Sequence, residues 1–141
     1  MKNIFIFVVC GGKEHIDALN FSLSCLKKYT KNEIWVLTDS TRNEIPIHHS
    51  DIIDIKTPDA FNHHPASIFL KTDIYQFVPK GNRYCYLDSD VIALNKDVDK
   101  IFDQFMKPII FAPDHCVIYL DKKLNLRNAV KNEIFFDSLP I

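Results

Sequence analysis

The sequence predicts an α/β fold with a mostly parallel sheet flanked by helices. Two continuous apolar runs, Ile4–Val9 and Glu33–Leu37, are typical of strands that are buried on both faces. A segment with helical spacing of its apolar residues separates them, and a third apolar run, Arg83–Leu87, follows another such segment. Parallel neighbours are favoured because a strand, a helix and a strand in succession form the crossover that parallel pairing requires.

The first half of this pattern is well marked in the chain. After Ile4–Val9 the glycines Gly11 and Gly12 end the strand, and from about His15 to Tyr29 apolar residues recur at helical spacing. Lysines gather at the end of that segment, where positive charge complements a helix dipole. The second strand, Glu33–Leu37, ends at polar residues, and these elements together predict a βαβ unit.

The second half is predicted in less regular pieces. Ile45–Ile55 reads as one or two short strands or extended segments. A helix is expected over Ala66–Val78, with Pro65 in its first turn and a break at Pro79–Asn82 before the strand Arg83–Leu87. Further along, we expect a short helix over Asp97–Phe105 and strands over Pro108–Ala112 and Val117–Leu120.

Composition bounds the class of protein. The chain has 141 residues, 47% of them hydrophobic and 25% charged, which fits one globular domain over residues 1–141. A net charge of −1 argues against strong electrostatic binding to nucleic acid. The N-terminal apolar run is too short to span a membrane and lacks a convincing signal cleavage site, so we expect no transmembrane segment and a cytoplasmic location.

Cysteines and paired histidines give weak signals for metal. The four cysteines are widely spaced without a CxxC pair, which favours reduced thiols over disulfides or zinc ligands. Adjacent histidines do not share a helix face at ligand spacing, so the two histidine pairs are expected to be loop residues.

Two aspartates at the end of the third apolar run carry the strongest chemical signal. Asp88 and Asp90 interrupt apolar sequence, and burying two unpaired charges together is costly unless something compensates them. A divalent cation, held jointly with a phosphate group, is the simplest compensator. In open α/β sheets ligands bind at the carboxyl ends of strands, so Gly11 and Asp39, which follow the first two strands, are expected on the same rim. There Asp39 is a candidate contact for a ribose or base.

The sequence Tyr86-Leu87-Asp88-Ser89-Asp90-Val91-Ile92 resembles the DxD motif of GT-A nucleotide-sugar glycosyltransferases, and its context is closest to glycosyltransferase family 8. The N-terminal βαβ unit and a basic residue on the preceding helix, Lys71, add to the resemblance, which covers about residues 3–120. It implies a GT-A (Rossmann-like) fold. It also implies transfer from a nucleotide-diphospho-sugar, usually a UDP-sugar, to a carbohydrate, lipid or protein acceptor that the sequence does not identify.

The resemblance also implies roles for individual residues. Asp90 would ligate Mn²⁺ or Mg²⁺, Asp88 would share the metal and touch the ribose, and Ser89 lies between them in the donor site. Lys71 would contact the sugar nucleotide. The end of the first strand and the glycine after it would line the base pocket, which assigns this role to Val8, Val9, Cys10 and Gly11.

Simpler interpretations stay open for these residues. Asp88 and Asp90 are alternatively loop-capping carboxylates, Lys71 a solvent-facing helix residue and Asp39 a turn cap. The glycine pair is more simply a strand-to-helix turn than a phosphate cradle, because its spacing is not GxGxxG.

Two other functions compete with glycosyl transfer. Aspartyl-phosphate phosphatases also place Asp-x-Asp after a strand, but after the first strand, whereas this motif is central. The second rival is a non-catalytic nucleotide-sugar-binding module. The chain after Asp90 is shorter than in complete enzymes of the family, so we expect a truncated or incomplete glycosyltransferase. The catalytic residues, the third metal ligand and a homo-oligomeric state are left open.

Overall fold

Four parallel strands form the centre of the fold. The computed structural model describes residues 1–104, in which the strands are β1 (Asn3–Val8), β2 (Glu33–Thr38), β3 (Ile52–Asp54) and β4 (Arg83–Leu87). They pair in the order β3-β2-β1-β4, and every pair is parallel. The predicted α/β class with a parallel sheet is therefore confirmed, and the architecture is compatible with a Rossmann-like fold.

Helices cover both faces of this sheet. The helices are α1 (Lys13–Tyr29), α2 (His63–Thr72) and the single turn α3 (Ile74–Phe77), with short 3-10 helices at Ser40–Arg42 and Lys96–Gln104. One core lies between the sheet and α1, and the other between the sheet and α2. β1 contributes to both because its side chains alternate. Phe5, Phe7 and Val9 face the α1 core, and Ile6, Val8 and Cys10 face the α2 core.

The order of the strands reverses between β1 and β4, and the carboxyl rim at this point is named here the crevice. The chain passes from β1 through α1 to β2 and β3, then returns through α2 to β4 on the other side of β1. Because α1 and α2 pack on opposite faces, the direction of winding reverses between β1 and β4. A reversal of this kind opens a crevice at the carboxyl ends of the two strands, which is where ligands bind in open α/β sheets.

Several predicted boundaries differ from the observed ones. The segment Ile45–Ile55 forms a strand only at Ile52–Asp54, because Ile45 and Ile47 pack against the α1 core instead of pairing. The predicted helix Ala66–Val78 begins earlier, at His63, and is divided after Thr72. The pair His63–His64, expected in a loop, therefore lies in the first turn of α2. At the division the Thr72 hydroxyl donates to the carbonyls of Ile68 and Phe69, which competes with continuation of the helix.

Only the first of the last three predicted elements lies within the described residues. The expected helix Asp97–Phe105 is a 3-10 helix over Lys96–Gln104, whose Phe102 packs edge-on against Phe5 with ring centroids 4.9 Å apart. The predicted strands Pro108–Ala112 and Val117–Leu120 lie outside the described residues. Within residues 1–104, no helix has both the length and the apolar character needed to cross a membrane.

Candidate functional site

The predicted site residues follow strands that end at one edge of the sheet. Gly11 comes after β1, Asp39 after β2 and Asp88 after β4, and all three strands run parallel. The expectation of a common rim is therefore met. Asp88 lies at the crevice between β1 and β4, and Asp39 lies on the opposite side of β1.

Asp88 is held by two side chains on the same carboxylate oxygen. The Lys71 ammonium lies 2.9 Å from Asp88 Oδ1, and the Tyr86 hydroxyl donates a hydrogen bond to that oxygen. Lys71 is placed there by α2, whose Ala66 and Leu70 are fully buried against the sheet. Its ammonium also lies 5.9 Å from the centre of the Tyr86 ring, within the range of a cation–π contact.

These contacts stabilise the charged form of Asp88. The hydrogen bond from Tyr86 lowers the pKa of Asp88, burial opposes it, and the Lys71 ammonium lowers it further. Burial raises the pKa of Tyr86 well above its ordinary value, and the carboxylate of Asp88 adds to this. Asp88 is therefore an anion with one oxygen fixed, and Tyr86 is a neutral donor. Tyr86 was not among the residues predicted from the sequence.

We expect Tyr86→Phe to raise the pKa of Asp88 toward that of an ordinary aspartate. The variant removes the hydroxyl that contributes most to the lowered pKa and keeps the ring beneath Lys71. Carboxyl carbon shifts followed by NMR during a pH titration would measure this. Tyr75→Phe is the matched control, since that hydroxyl is bonded to Gln76. An unchanged Asp88 titration in Tyr86→Phe would contradict the assigned hydrogen bond.

The turn after β4 leaves both aspartates exposed to solvent, so the expectation that their burial requires a compensating cation is wrong. The Val91 amide donates to the Asp88 carbonyl at 3.0 Å, which closes a tight turn over Asp88–Val91. Within residues 1–104, Asp90 is exposed and makes no hydrogen bond or ion pair. Ser89 lies between the two aspartates and is half-buried. Asp90 is thus the free carboxylate of the turn, and Asp88 the restrained one.

The oxygen donors of this turn suit a hard divalent cation. Asp88 keeps one oxygen that makes no hydrogen bond to a described residue, and Asp90 keeps both. The part of the chain that the structure describes holds no group of three or more His, Cys, Asp or Glu side chains arranged for a metal. Two carboxylates are nevertheless a usual protein share for Mg²⁺, which commonly takes its remaining ligands from water and substrate phosphates.

Gly11 lets α2 approach the end of β1 closely. Its φ of +99° lies in the region that favours glycine, and an added Cβ would lie 2.6 Å from the His63 ring. The Gly11 amide donates to Asn43 at 3.2 Å, and the Lys13 amide donates to Glu44 at 2.9 Å. Because these amides already have partners, the contacts favour a strand-to-helix turn over a phosphate cradle. The contact between Gly11 and His63 was not predicted.

Gly11→Ala is expected to destabilise the fold by about 3 kcal/mol or more, because backbone strain and overpacking both contribute. The control is Gly81→Ala, since Gly81 has a φ of +88° but open space where its Cβ would lie. It should lose only about 1 kcal/mol through backbone strain. Urea unfolding of both variants measures the difference. Equal losses would show that the His63 contact has no steric cost.

The residues expected to line a base pocket are largely inside the protein. Val8, Val9 and Cys10 have at most 4% of their surface exposed, and burial raises the pKa of the Cys10 thiol. The Cys10 sulfur lies 3.9 Å from the His63 carbonyl oxygen. A base-pocket role for these residues stays a prediction, and with this packing it would be carried mainly by the backbone at the end of β1.

Asp39 is fully buried, and its oxygens accept five hydrogen bonds. The backbone amides and hydroxyls of Thr41 and Thr57 donate four of these at 2.6 to 3.2 Å, and Arg42 Nε donates the fifth at 3.2 Å. Burial alone would raise the pKa of Asp39, but the threonine hydrogen bonds outweigh it and hold the pKa well below its ordinary value. A ribose or base contact stays a prediction and would require some of these hydrogen bonds to be exchanged.

Arg42 extends this network toward α2. Its two terminal nitrogens donate to the carbonyls of Phe61 and Pro58 at 2.6 and 2.7 Å. These carbonyls belong to the loop that leads into α2 at His63. We name Asp39, Arg42 and Thr57 the rim clamp, because they tie the loop after β2 to the loop before α2.

Two shallow hollows lie away from Asp88 and Asp90. One, of about 310 Å³, is lined by Thr38, Asn43 and neighbouring residues next to β3. The other, of about 560 Å³, lies beside Trp35 and Phe77. Asp88 and Asp90 line neither hollow. The candidate site is therefore identified by the carboxylates of the turn over residues 88–91, named here the DxD turn, and not by the shape of a cavity.

Comparisons with protein-family models, with curated proteins and with solved structures give no significant match to this chain. Kinship with GT-A enzymes therefore stays a prediction from the motif and its flanking elements. The geometry of Lys71, Asp88 and Asp90 provides the grounds for a function.

Proposed function

We propose that this chain binds a nucleotide-diphospho-sugar, most simply a UDP-sugar, at the crevice between β1 and β4, as the donor site of a metal-dependent glycosyltransferase of GT-A type. One observation carries the proposal. Lys71 from α2 pairs with Asp88 at the carboxyl edge of a parallel sheet, at its point of reversal, and Asp90 belongs to the same turn after β4.

The mixture of charges favours a diphosphate as ligand. Carboxylates alone would repel a phosphate, so Asp88 and Asp90 favour binding only if a cation lies between them and the ligand. Mn²⁺ or Mg²⁺ suits these oxygen donors, and when bound it would neutralise charge on a departing diphosphate. The Lys71 ammonium, which is partly exposed beside Asp88 and the Tyr86 ring, is positioned to donate to a phosphate oxygen directly.

Each residue then has a defined role in donor binding. Asp90 offers its carboxylate to the metal, and Asp88 offers the oxygen that Lys71 and Tyr86 leave open. Ser89 spaces the two aspartates. The backbone of Val8–Gly11 faces the base, and the rim clamp, with Asp39 at its centre, shapes the loops beside it.

Donor binding is better supported than completed transfer. Among residues 1–104 we assign no general base or nucleophile, and the acceptor is unidentified. A non-catalytic nucleotide-sugar-binding module is thus the main alternative. A phosphatase is less favoured, because the aspartates follow β4 and the Val91 amide is already bonded within the turn.

Calorimetric titration with UDP in the presence of Mn²⁺ tests binding. The variant Lys71→Met tests whether the lysine ammonium contributes to binding of the diphosphate. We expect binding to depend on the metal and to weaken roughly tenfold to a hundredfold in Lys71→Met, because a charge-assisted hydrogen bond contributes about 1.5–3 kcal/mol. Lys80→Met is the control, since Lys80 is an exposed lysine near the amino end of β4. Binding that is equal with and without Mn²⁺, or equal in Lys71→Met, would refute the proposed chemistry.

Turnover assays separate the three functions. Release of sugar from UDP-glucose or UDP-galactose would indicate a working transferase. Metal-dependent binding of UDP without release would indicate a binding module. Hydrolysis of a generic phosphate ester with Mg²⁺, without binding of UDP, would indicate a phosphatase and contradict the proposal.

A further inference from the structure

We propose that Ser22, on α1, is a positioning residue for the turn that carries Asp88 and Asp90, and that it raises the affinity of this turn for a divalent cation. This inference rests on the proposed function. Ser22 has 1% of its surface exposed and lies on the face of α1 that also buries Leu19, Leu23 and Leu26. A hydroxyl on such a face requires a partner, because an unpaired buried polar group is costly.

The partner is the backbone of the candidate site. The Ser22 hydroxyl donates to the carbonyl of Val91, which is the residue directly after Asp90. The amide of Val91 donates to the carbonyl of Asp88 at 3.0 Å. Val91 is therefore held on both sides, to the turn by its amide and to the core helix by its carbonyl.

This arrangement fixes the backbone from which both aspartates project. Asp90 has no side-chain partner within residues 1–104, so its direction depends on the conformation of residues 88–91. Groups that hold ligands in place commonly change metal affinity without touching the metal. Loss of the Ser22 hydroxyl would release the carbonyl of Val91 and let the turn open more often.

A second set of contacts holds residues 99–102, which follow the turn, against α1. Asp99 accepts hydrogen bonds from the Thr30 hydroxyl and, at 3.1 Å, from the Lys31 amide at the end of α1. Phe102 is buried in the α1 core. Because these contacts hold residues 99–102 independently, removal of the Ser22 hydroxyl should loosen the turn and leave the segment in place.

The test compares Ser22→Ala with Ser24→Ala in the full chain. Alanine is the best helix former, so both variants should fold. Ser24 is the matched control, because it is exposed and its hydroxyl bonds within α1, to the Phe21 carbonyl at 2.7 Å. The first readout is amide hydrogen exchange at Val91 without metal or nucleotide. The second is Mn²⁺ affinity in the presence of UDP, followed by electron paramagnetic resonance.

We expect Ser22→Ala to accelerate exchange at Val91 and to weaken Mn²⁺ binding, each by about threefold to tenfold, as loss of one hydrogen bond implies. Ser24→Ala should match the parent chain. If the parent binds Mn²⁺ with UDP and Ser22→Ala binds it equally, the positioning role is overturned and the proposed function stands. If the parent binds no Mn²⁺ with UDP, the proposed function fails and the metal role of Ser22 fails with it, whatever exchange at Val91 shows.

Discussion

Asp90→Ala is expected to lower the affinity for UDP in the presence of Mn²⁺ by about a hundredfold or more, with almost no change in stability. Residues that merely orient metal ligands commonly cost tenfold to a hundredfold when they are changed, and a direct ligand should cost at least as much. Stability should hold, because Asp90 is exposed and has no hydrogen bond within the described part of the chain. Calorimetry and thermal unfolding measure the two effects separately.

Asp51→Ala provides the control for charge. Asp51 is also exposed, but it precedes β3, which lies at the opposite edge of the sheet from β4. Both variants remove one negative charge, so any general electrostatic effect is shared. If Asp90→Ala binds UDP and Mn²⁺ as the parent does, the metal assignment is wrong.

Asp39→Ala is expected to cause a large loss of stability, about 3–5 kcal/mol. Removal of this carboxylate leaves Arg42 without its charged partner and leaves the donors of Thr57 unpaired in a buried site. Asp59→Ala is the control, because Asp59 is an exposed aspartate whose ion pair with Lys56 should contribute at most about 1 kcal/mol. Equal losses in urea unfolding would contradict the assigned role of the rim clamp.

Asp39 should also make the free energy of unfolding depend on pH in the acidic range. Its pKa in the folded protein lies well below the ordinary value of about 3.9, so as the pH falls the unfolded chain takes up the proton first. The stabilisation is fully present above about pH 4 and is lost as the pH falls toward the folded pKa. In that range the parent should lose about 1.4 kcal/mol per pH unit more than Asp39→Asn. If the free energy of unfolding falls equally with pH in the parent and in Asp39→Asn, the lowered pKa of Asp39 is contradicted.

The fold follows from local sequence signals. The apolar run Ile4–Val9 predicts a buried strand, and β1 is buried over Ile4–Val8. Arg83–Leu87 was also expected to be a buried strand; it is a strand, but its residues are half-buried or exposed. The nearness of Lys71 to Asp88 was expected only from the resemblance to GT-A enzymes, because the end of a crossover helix is more commonly found toward the amino ends of the strands. Their separation of 2.9 Å agrees with that expectation.

The polar contacts that organise the site were not predictable in the same way. The hydroxyl of Ser22 bonds to a carbonyl 69 positions away, and Gly11 meets the ring of His63 only because α2 packs at the end of β1. Such contacts depend on how elements pack, so the residue types alone do not reveal them. The position of Asp39 did not reveal its hydrogen bonds to Thr41, Arg42 and Thr57, because a carboxylate after a strand looks the same in sequence whether it faces a ligand or an arginine.

Binding of a divalent cation and a nucleotide diphosphate at the crevice between β1 and β4 is tested most directly by paramagnetic broadening. Mn²⁺ is added below stoichiometry to the ¹⁵N-labelled chain with UDP, and amide signals are followed by NMR. We predict selective broadening at residues 88–91 and at Gly11, with Lys31 and Asn32, just before the amino end of β2, unaffected. Uniform broadening, or broadening centred elsewhere, would contradict it.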